Sequence, residues 1–236
     1  MTEAKIQTNK VYKYLSKSEK KIIAQQGGTR SGKTYNILIW LIFHYGLNHK
    51  GKTITICRKT FPAVRGTVMR DFLEILKKHN LYTEEAHNRT ACEYFFNGNR
   101  FEFISIDQPT RIRGRKREIL FINECNELDF ESWQQLIFRT EEKIIIDYNP
   151  SDEFHWIYDK VLTREDCDFY QTTYKDNPFL ADSLVAEIER LKNIDENYWR
   201  VYGLGERGKN RSVVFNFRTI KEIPTSAKLL GLGLDF

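Results

Sequence analysis

The chain has 236 residues, of which 41% are hydrophobic and 14% aromatic, which is enough apolar material for a buried core. This composition excludes a disordered chain, and the length allows one large domain or one domain with part of another. The formal net charge of +5 fits a polyanionic partner but also describes many proteins without one. Cys57, Cys92, Cys125 and Cys167 lack the close spacing of zinc sites and predict reduced, structural thiols.

Apolar segments of the chain do not indicate a membrane protein. The N-terminal MTEAKIQTNK lacks the apolar core of a signal peptide. The longest apolar run, ILIWLIF at 37–43, is far shorter than the ~20 residues that span a bilayer. The sequence therefore predicts a soluble protein with no membrane partner.

Apolar runs rich in β-branched residues alternate with helical patterns, which is typical of βαβ units around a parallel sheet. Central strands are predicted at 21–25, 53–58, 118–123 and 143–148, because buried parallel strands are apolar on both faces. Between the second and third of these strands, residues 93–106 alternate in character around Asn97-Gly98, a strong hairpin signal. This segment predicts an antiparallel hairpin at the edge of the sheet.

Helices are predicted at 33–45, 68–79, 130–139 and 182–192. Gly46 is expected to end the first helix, while Asp129 and Asp182 are candidate N-caps of the last two. Together the patterns predict an α/β fold with a mainly parallel central sheet, flanking helices and an antiparallel hairpin addition.

Residues 27–34 satisfy the phosphate-loop pattern G-x4-G-K-S/T, between a predicted strand and a predicted helix. The loop consists of Gly27, Gly28, Thr29, Arg30, Ser31, Gly32, Lys33 and Thr34. Its glycines let backbone N–H groups wrap phosphates, and the helix N-terminus adds positive partial charge. We expect Lys33 to reach the β- and γ-phosphates of ATP, and Thr34 to bind Mg²⁺ through its hydroxyl. The sequence thus predicts a P-loop NTPase.

Arg30 is not required by the phosphate-loop pattern. It either neutralises γ-phosphate charge within its own subunit or is an exposed loop arginine, and the loop sequence leaves both interpretations open.

The predicted strand at 118–123 ends in Asn123-Glu124, where P-loop hydrolases commonly carry an acidic pair. An aspartate there often acts on Mg²⁺ through metal-bound water, and an Asn oxygen accepts the same water protons without supplying charge. A carboxylate is needed to orient and deprotonate the attacking water, and Glu124 provides it. The pair favours a working ATPase with weakened magnesium affinity over an inactive nucleotide-binding scaffold.

Six stretches spread over nearly the whole chain carry a more specific signal. They read YLSKSEKKIIAQQGGTRSGKTYN, RKTFPAVRGTVMRDF, RIRGRKREILFINECNEL, DYNPSDEFHWIY, TYKDNPFL and YWRVYGLGERG. In content and order they resemble the large subunit of the terminases of tailed double-stranded DNA bacteriophages, one branch of which also has Asn-Glu in place of Asp-Glu. The resemblance implies ATP-driven translocation of double-stranded viral DNA into a procapsid. It also implies a ring on the capsid portal, a small terminase subunit as partner, and the cytoplasm of the infected bacterial host as location.

The same resemblance implies roles for individual residues. Glu124 matches the family's catalytic glutamate, and Asn149 falls in a motif that couples phosphate sensing to domain movement. Arg113 matches an arginine that reaches into a neighbouring subunit's site. From the residues alone, Asn149 is equally compatible with a plain Asn-Pro turn. Arg113 lies in the basic run RIRGRKR at 111–117, which alternatively contacts DNA phosphates or forms a solvated loop.

The resemblance also divides the chain. Residues 1–210 are expected to form the ATPase domain, and 211–236 a linker and the first strand of an RNase H-like nuclease domain. In that strand, LLGLGLDF at 229–236, Asp235 matches a ligand of a two-metal site. Because a single aspartate cannot hold two metal ions, we expect no nuclease activity from this chain. Alternatively, LLGLGLDF is a last strand of the ATPase sheet.

Two other functions fit the phosphate loop. A helicase-like, nucleic-acid-dependent ATPase needs two tandem motor cores, and only one fits in this chain. An ATP-binding assembly module would bind nucleotide with little turnover, and steady-state phosphate release distinguishes it from a motor.

Overall fold

The computed structural model describes residues 6–107 and 116–209, and its strands form an eight-stranded sheet. The strands are β1 (Ile22–Gly27), β2 (Thr53–Arg58), β3 (His87–Asn88), β4 (Glu93–Phe96), β5 (Asn99–Ser105), β6 (Arg117–Ile122), β7 (Thr140–Tyr148) and β8 (Cys167–Thr172). Their order across the sheet is β3-β4-β5-β2-β6-β7-β1-β8. Only the pairs β3–β4 and β4–β5 are antiparallel among the described strands. The mainly parallel sheet with a hairpin addition confirms the predicted fold class.

Helices cover both faces of this sheet. They are α1 (Lys10–Lys17), α2 (Lys33–Ile39), α3 (Phe61–Val64), α4 (Arg70–Lys78), α5 (Phe130–Ile137), α6 (Asp182–Ile194) and α7 (Glu196–Tyr198). π-helical turns continue α2 over Trp40–Gly46, join α3 to α4 over Arg65–Met69, and form Ile157–Val161 and Trp199–Leu204. The apolar side chains fall into one core under α1, α2 and α4 and another under α5. Within β1, Ile23 belongs to the first core and Ile22 to the second, so both faces of the strand are buried.

The four predicted central strands are all present as β1, β2, β6 and β7, and the hairpin at 93–106 is β4 and β5. Asp129 caps α5, because its carboxylate accepts from Ser132 N at 2.7 Å. Asp182 was wrongly predicted as a cap: Ala181 occupies the cap position and Asp182 is the first helical residue, where its charge favours the helix N-terminus. The predicted strand at 229–236 lies outside the described residues.

The fold places the loops after the parallel strands at one edge of the sheet. β7 lies between β6 and β1, so the ends of all three strands meet in that order. The phosphate-loop segment after β1 is therefore separated from Asn123 and Glu124 by the end of β7. In the described ranges, no helix has the length and apolar character needed to cross a bilayer.

Candidate active site

A cavity of about 210 Å³ opens at the carboxyl edge of the sheet. It is lined by Thr29, Arg30, Ser31, Gly32, Lys33, Thr34, Tyr35, Glu124 and Asn149. The structure thus brings together predicted site residues that follow three different strands. Arg113 and Asp235 lie outside the described residues, and their assigned roles stay predictions.

The loop between β1 and α2 is shaped by left-handed backbone at Arg30 (φ 64°) and Gly32 (φ 78°). The first is unusual for a residue with a side chain, whereas the second suits glycine. Ser31 Oγ donates to Gly28 O at 2.9 Å and closes the loop from inside. The turn aims the N-terminus of α2 into the cavity, where its N–H groups favour an anion.

Gly27 and Gly28 lie behind the cavity, against other parts of the backbone. A Cβ added to Gly28 would lie 2.3 Å from Gly203 O, and one added to Gly27 would lie 2.5 Å from Thr172 O. Gly28 N donates to Thr172 O at 3.1 Å. Close packing of the loop against β8 and the turns at Trp199–Leu204 thus requires these glycines, a reason that the phosphate-loop pattern alone did not reveal.

Replacement of Gly28 by Ala is expected to destabilise the fold by about 1–3 kcal/mol, because the added methyl overpacks a backbone contact that has no side chain to move. Thermal unfolding of the purified chain measures this loss. Gly66→Ala is the matched control, since a Cβ there meets no described atom within 4 Å. Equal melting temperatures for the two variants would contradict the packing role of Gly28.

Lys33 is buried, with 7% of its surface exposed, and its ammonium group lies inside the loop. Nζ donates to Gly27 O at 2.9 Å, to Gly28 O at 3.0 Å and to Asn149 Oδ1 at 2.9 Å. Burial lowers the pKa of Lys33, while the negative charges of Asp147 and Glu124 act in the opposite direction. Asn149, predicted from the Asn-Pro segment, therefore contacts the lysine directly.

Asp147, at the end of β7, is a site residue that sequence reasoning missed. It is 1% exposed. Its Oδ2 accepts from Thr34 Oγ1 at 2.6 Å, and its Oδ1 accepts from Asn123 Nδ2 and from Glu124 N, each at 2.9 Å. One carboxylate thus joins the phosphate loop to the Asn-Glu pair. A carboxylate directly after the apolar run at 144–146 was the signal that could have found it.

Glu124 faces the cavity from the turn after β6. Its backbone is left-handed, with φ 52° and ψ 55°, a conformation that costs free energy in a residue with a side chain. Burial raises the pKa of the Glu124 carboxyl to about 7, and the charge of Asp147 acts in the same direction. A carboxyl with such a pKa is suited to exchange a proton near neutral pH.

Arg30 is exposed at the cavity rim, and its backbone O accepts from Asn177 Nδ2 at 2.8 Å. Its position permits contact with a bound phosphate and equally permits a solvated side chain.

Oxygen atoms around Asp147 suit magnesium. Thr34 supplies a hydroxyl and Asp147 a carboxylate, which are hard donors of the kind that Mg²⁺ prefers. Asn123 turns its Nδ2, not its oxygen, toward both of these groups. In the part of the chain that the structure describes, no group of three or more His, Cys, Asp or Glu side chains is arranged to hold a metal. The residues therefore fit an ion that takes its remaining ligands from nucleotide phosphates and water.

Comparison with known proteins finds relatives by sequence and similar folds among solved structures. The PBSX phage terminase large subunit of Bacillus subtilis (strain 168) is 23% identical over 212 residues, or 78% of this chain and 48% of that protein. The large terminase of a thermophilic bacteriophage has a TM-score of 0.72 at 20% identity, over 84% of this chain and 52% of that one. The ATPase domain of the Thermus phage P74-26 large terminase has a TM-score of 0.62 at 18% identity, over 83% of this chain and 92% of that one.

The chain spans about half the length of the PBSX protein and of the thermophilic phage terminase. The sequence family described as "Phage terminase large subunit" matches residues 19–206, which include the phosphate loop, the Asn-Glu pair and the end of β7. This chain belongs to the phage terminase large subunit family.

Proposed function

We propose that this chain hydrolyses ATP with Mg²⁺ and that this hydrolysis drives double-stranded viral DNA into a procapsid. The observation that carries the proposal is the meeting of Lys33, Thr34, Glu124 and Asn149 around one cavity. The large terminase of the thermophilic phage has been solved in complex with ADP and with ATP-gamma-S, which supports nucleotide as the ligand.

In the proposed mechanism, the phosphate loop binds the phosphates of ATP. The N–H groups at the start of α2 bind the phosphates, and Lys33 exchanges its contacts with Gly27 O and Gly28 O for the β- and γ-phosphate oxygens. Asn149 contacts Lys33 Nζ and follows that movement, which fits the phosphate-sensing role implied by its motif. Arg30 at the rim adds positive charge beside the γ-phosphate.

Hydrolysis falls to Glu124. Its carboxylate orients a water molecule toward the γ-phosphate and accepts a proton from it. Thr34 and Asn123 would hold Mg²⁺, which would supply charge neutralisation for the phosphates. Arg113 of a neighbouring subunit completes the site by adding a positive charge to the same phosphates.

The partners follow from the family. We propose that the chain self-associates into a ring on the capsid portal, acts with a small terminase subunit, and works on double-stranded DNA in the host cytoplasm. We propose that the motor domain covers residues 1–210 and that residues 211–236 lie outside it.

Replacement of Lys33 by Met tests the proposed ATPase. Met keeps the length of the side chain but removes the charge, so ATP affinity should fall at least about 30-fold, the lower limit for truncating a buried charged partner. Calorimetric titration with ATP measures the loss of affinity, and steady-state phosphate release measures the loss of turnover.

Lys143→Met is the matched control, because Lys143 is a half-buried lysine that donates to a backbone oxygen, Ser18 O at 2.6 Å, away from the cavity. It should bind and hydrolyse ATP like the unmodified chain. Nucleotide binding without phosphate release by the unmodified chain, with or without DNA, would instead favour the ATP-binding assembly module.

A further inference from the structure

Asn123 and Asp147 occupy equivalent levels on neighbouring strands. In the parallel register of β6 and β7, Ile122 is paired with Ile146, so the next residue on each strand lies at the same height. Side chains at one height of adjacent parallel strands point to the same face, about 4.8 Å apart. Asp147 thus presents a carboxylate on the same face as Asn123, but one strand nearer to β1 and the phosphate loop.

The contacts of Asp147 are those of an ionised carboxylate. Its oxygens accept from Thr34 Oγ1, Asn123 Nδ2 and Glu124 N, and acceptors only are what an ionised carboxylate offers. The amide of Asn123 thus serves as a donor that orients Asp147. An aspartate at position 123 would place two negative charges in contact, which is costly in a buried site.

The charge of Asp147 has no cationic partner among the described residues at ion-pair distance. The nearby ammonium of Lys33 donates instead to Gly27 O, Gly28 O and Asn149 Oδ1. The charges of Lys33 and Arg58 act on Asp147 only from beyond ion-pair distance. A buried carboxylate without an ion pair is unfavourable, and a bound divalent ion is a large local charge that offsets this penalty. The hydroxyl of Thr34, expected to bind magnesium, is already 2.6 Å from Asp147 Oδ2.

We propose that Asp147 is the acidic residue of the magnesium–nucleotide site, and that Asn123 positions it. The carboxylate expected at the end of β6 lies instead at the end of β7, at the same level as the amide of Asn123. This assignment rests on the proposed ATPase function. If it holds, the magnesium affinity is not weakened in the way that Asn123 alone led us to expect.

Asp147→Asn tests the assignment through binding rather than turnover. Calorimetric titration with a non-hydrolysable ATP analogue is carried out at several Mg²⁺ concentrations and with the metal chelated. The Mg²⁺ concentration for half-maximal enhancement of binding should rise about 10–100-fold, as for loss of a metal-orienting partner. Binding of the metal-free analogue should be unchanged or tighter, since a negative charge beside the phosphates is removed.

The double variant Asn123→Asp with Asp147→Asn exchanges the two groups and should recover most of the magnesium dependence. Asn123→Ala keeps the charge of Asp147 and should shift the Mg²⁺ requirement less than Asp147→Asn. Asp168→Asn is the matched control, because that carboxylate accepts from Ser18 Oγ at 2.7 Å away from the cavity. It should bind the analogue normally.

If Asp147→Asn lost the same affinity for the analogue with and without Mg²⁺, Asp147 would have a purely structural role and the assignment would be overturned. A rise of the Mg²⁺ requirement for Asn123→Ala as large as the about 10–100-fold expected for Asp147→Asn would overturn it too, and this result can be obtained even if Asp147→Asn does not fold. Failure of the unmodified chain to bind the analogue at any Mg²⁺ concentration would instead contradict the nucleotide function itself.

Discussion

Replacement of Glu124 by Gln is expected to lower kcat for ATP hydrolysis by about 10²–10⁴-fold, the usual contribution of a general base. Gln fills the same space at the cavity but cannot accept a proton from water. Calorimetric binding of ATP should stay within a few-fold of the unmodified chain, because the proposed phosphate contacts of Lys33 and the loop are unchanged. Glu127→Gln, in the same turn, is the control and should retain activity. Near-normal turnover by Glu124→Gln would contradict the assignment of the base.

The pH dependence offers a second measurement of the same group. Burial raises the pKa of the Glu124 carboxyl to about 7. A base must be ionised to act, and kcat/KM reports the free enzyme, so kcat/KM should fall as the pH decreases through about 7. The residual activity of Glu124→Gln should lack this decline. A decline confined to the range of an ordinary, exposed carboxyl would contradict the role of burial.

Replacement of Arg113 by Ala should lower kcat in assembled chains by about 10³–10⁵-fold, the effect of removing an arginine finger supplied by a neighbour. Mixing Arg113→Ala chains with Glu124→Gln chains should then restore turnover. Some interfaces in the mixture pair an intact Glu124 from one chain with an intact Arg113 from the other. Phosphate release, measured at several mixing ratios together with the assembly state, gives the result.

Arg111→Ala, in the same basic run, is the control for a general loss of positive charge. A DNA-contact role for Arg113 predicts similar losses for both variants, dependent on DNA and salt. A solvated loop predicts little change in either. Absence of rescue at every ratio, in mixtures shown to assemble, would exclude action in a neighbouring site.

The central strands could be predicted because each is apolar on both faces, which a run such as KIIIDY shows without knowledge of its neighbours. β8 was not predicted, because it is an edge strand in which Thr172 is buried and the other residues are half-buried or exposed. A strand with so few buried residues lacks the apolar run that identifies the central strands. α1 was not predicted for a similar reason, because its buried residues are only Val11 and Leu15.

Some residues of the candidate site could be predicted from the sequence, and others could not. Lys33 and Thr34 were predictable because the spacing of the phosphate loop fixes their positions relative to one strand and one helix. Asp147 was not, because its place depends on the insertion of β7 between β6 and β1. Strand order arises from pairing between distant segments, and no local pattern specifies it. The carboxylate that accepts from Thr34 was consequently missed from the sequence.

Hydrogen–deuterium exchange can report on the contact between the phosphate loop and the turns at Trp199–Leu204. Thr29 N donates to Tyr202 O at 2.6 Å, so the protection of this amide against deuterium reports the separation of the two segments. Gly28 N, bonded to Thr172 O in β8, serves as an internal reference on the adjacent residue. If nucleotide displaces the turns from the loop, exchange should accelerate at Thr29 and not at Gly28. Two neighbouring amides therefore separate motion of the C-terminal turns from opening of the sheet edge.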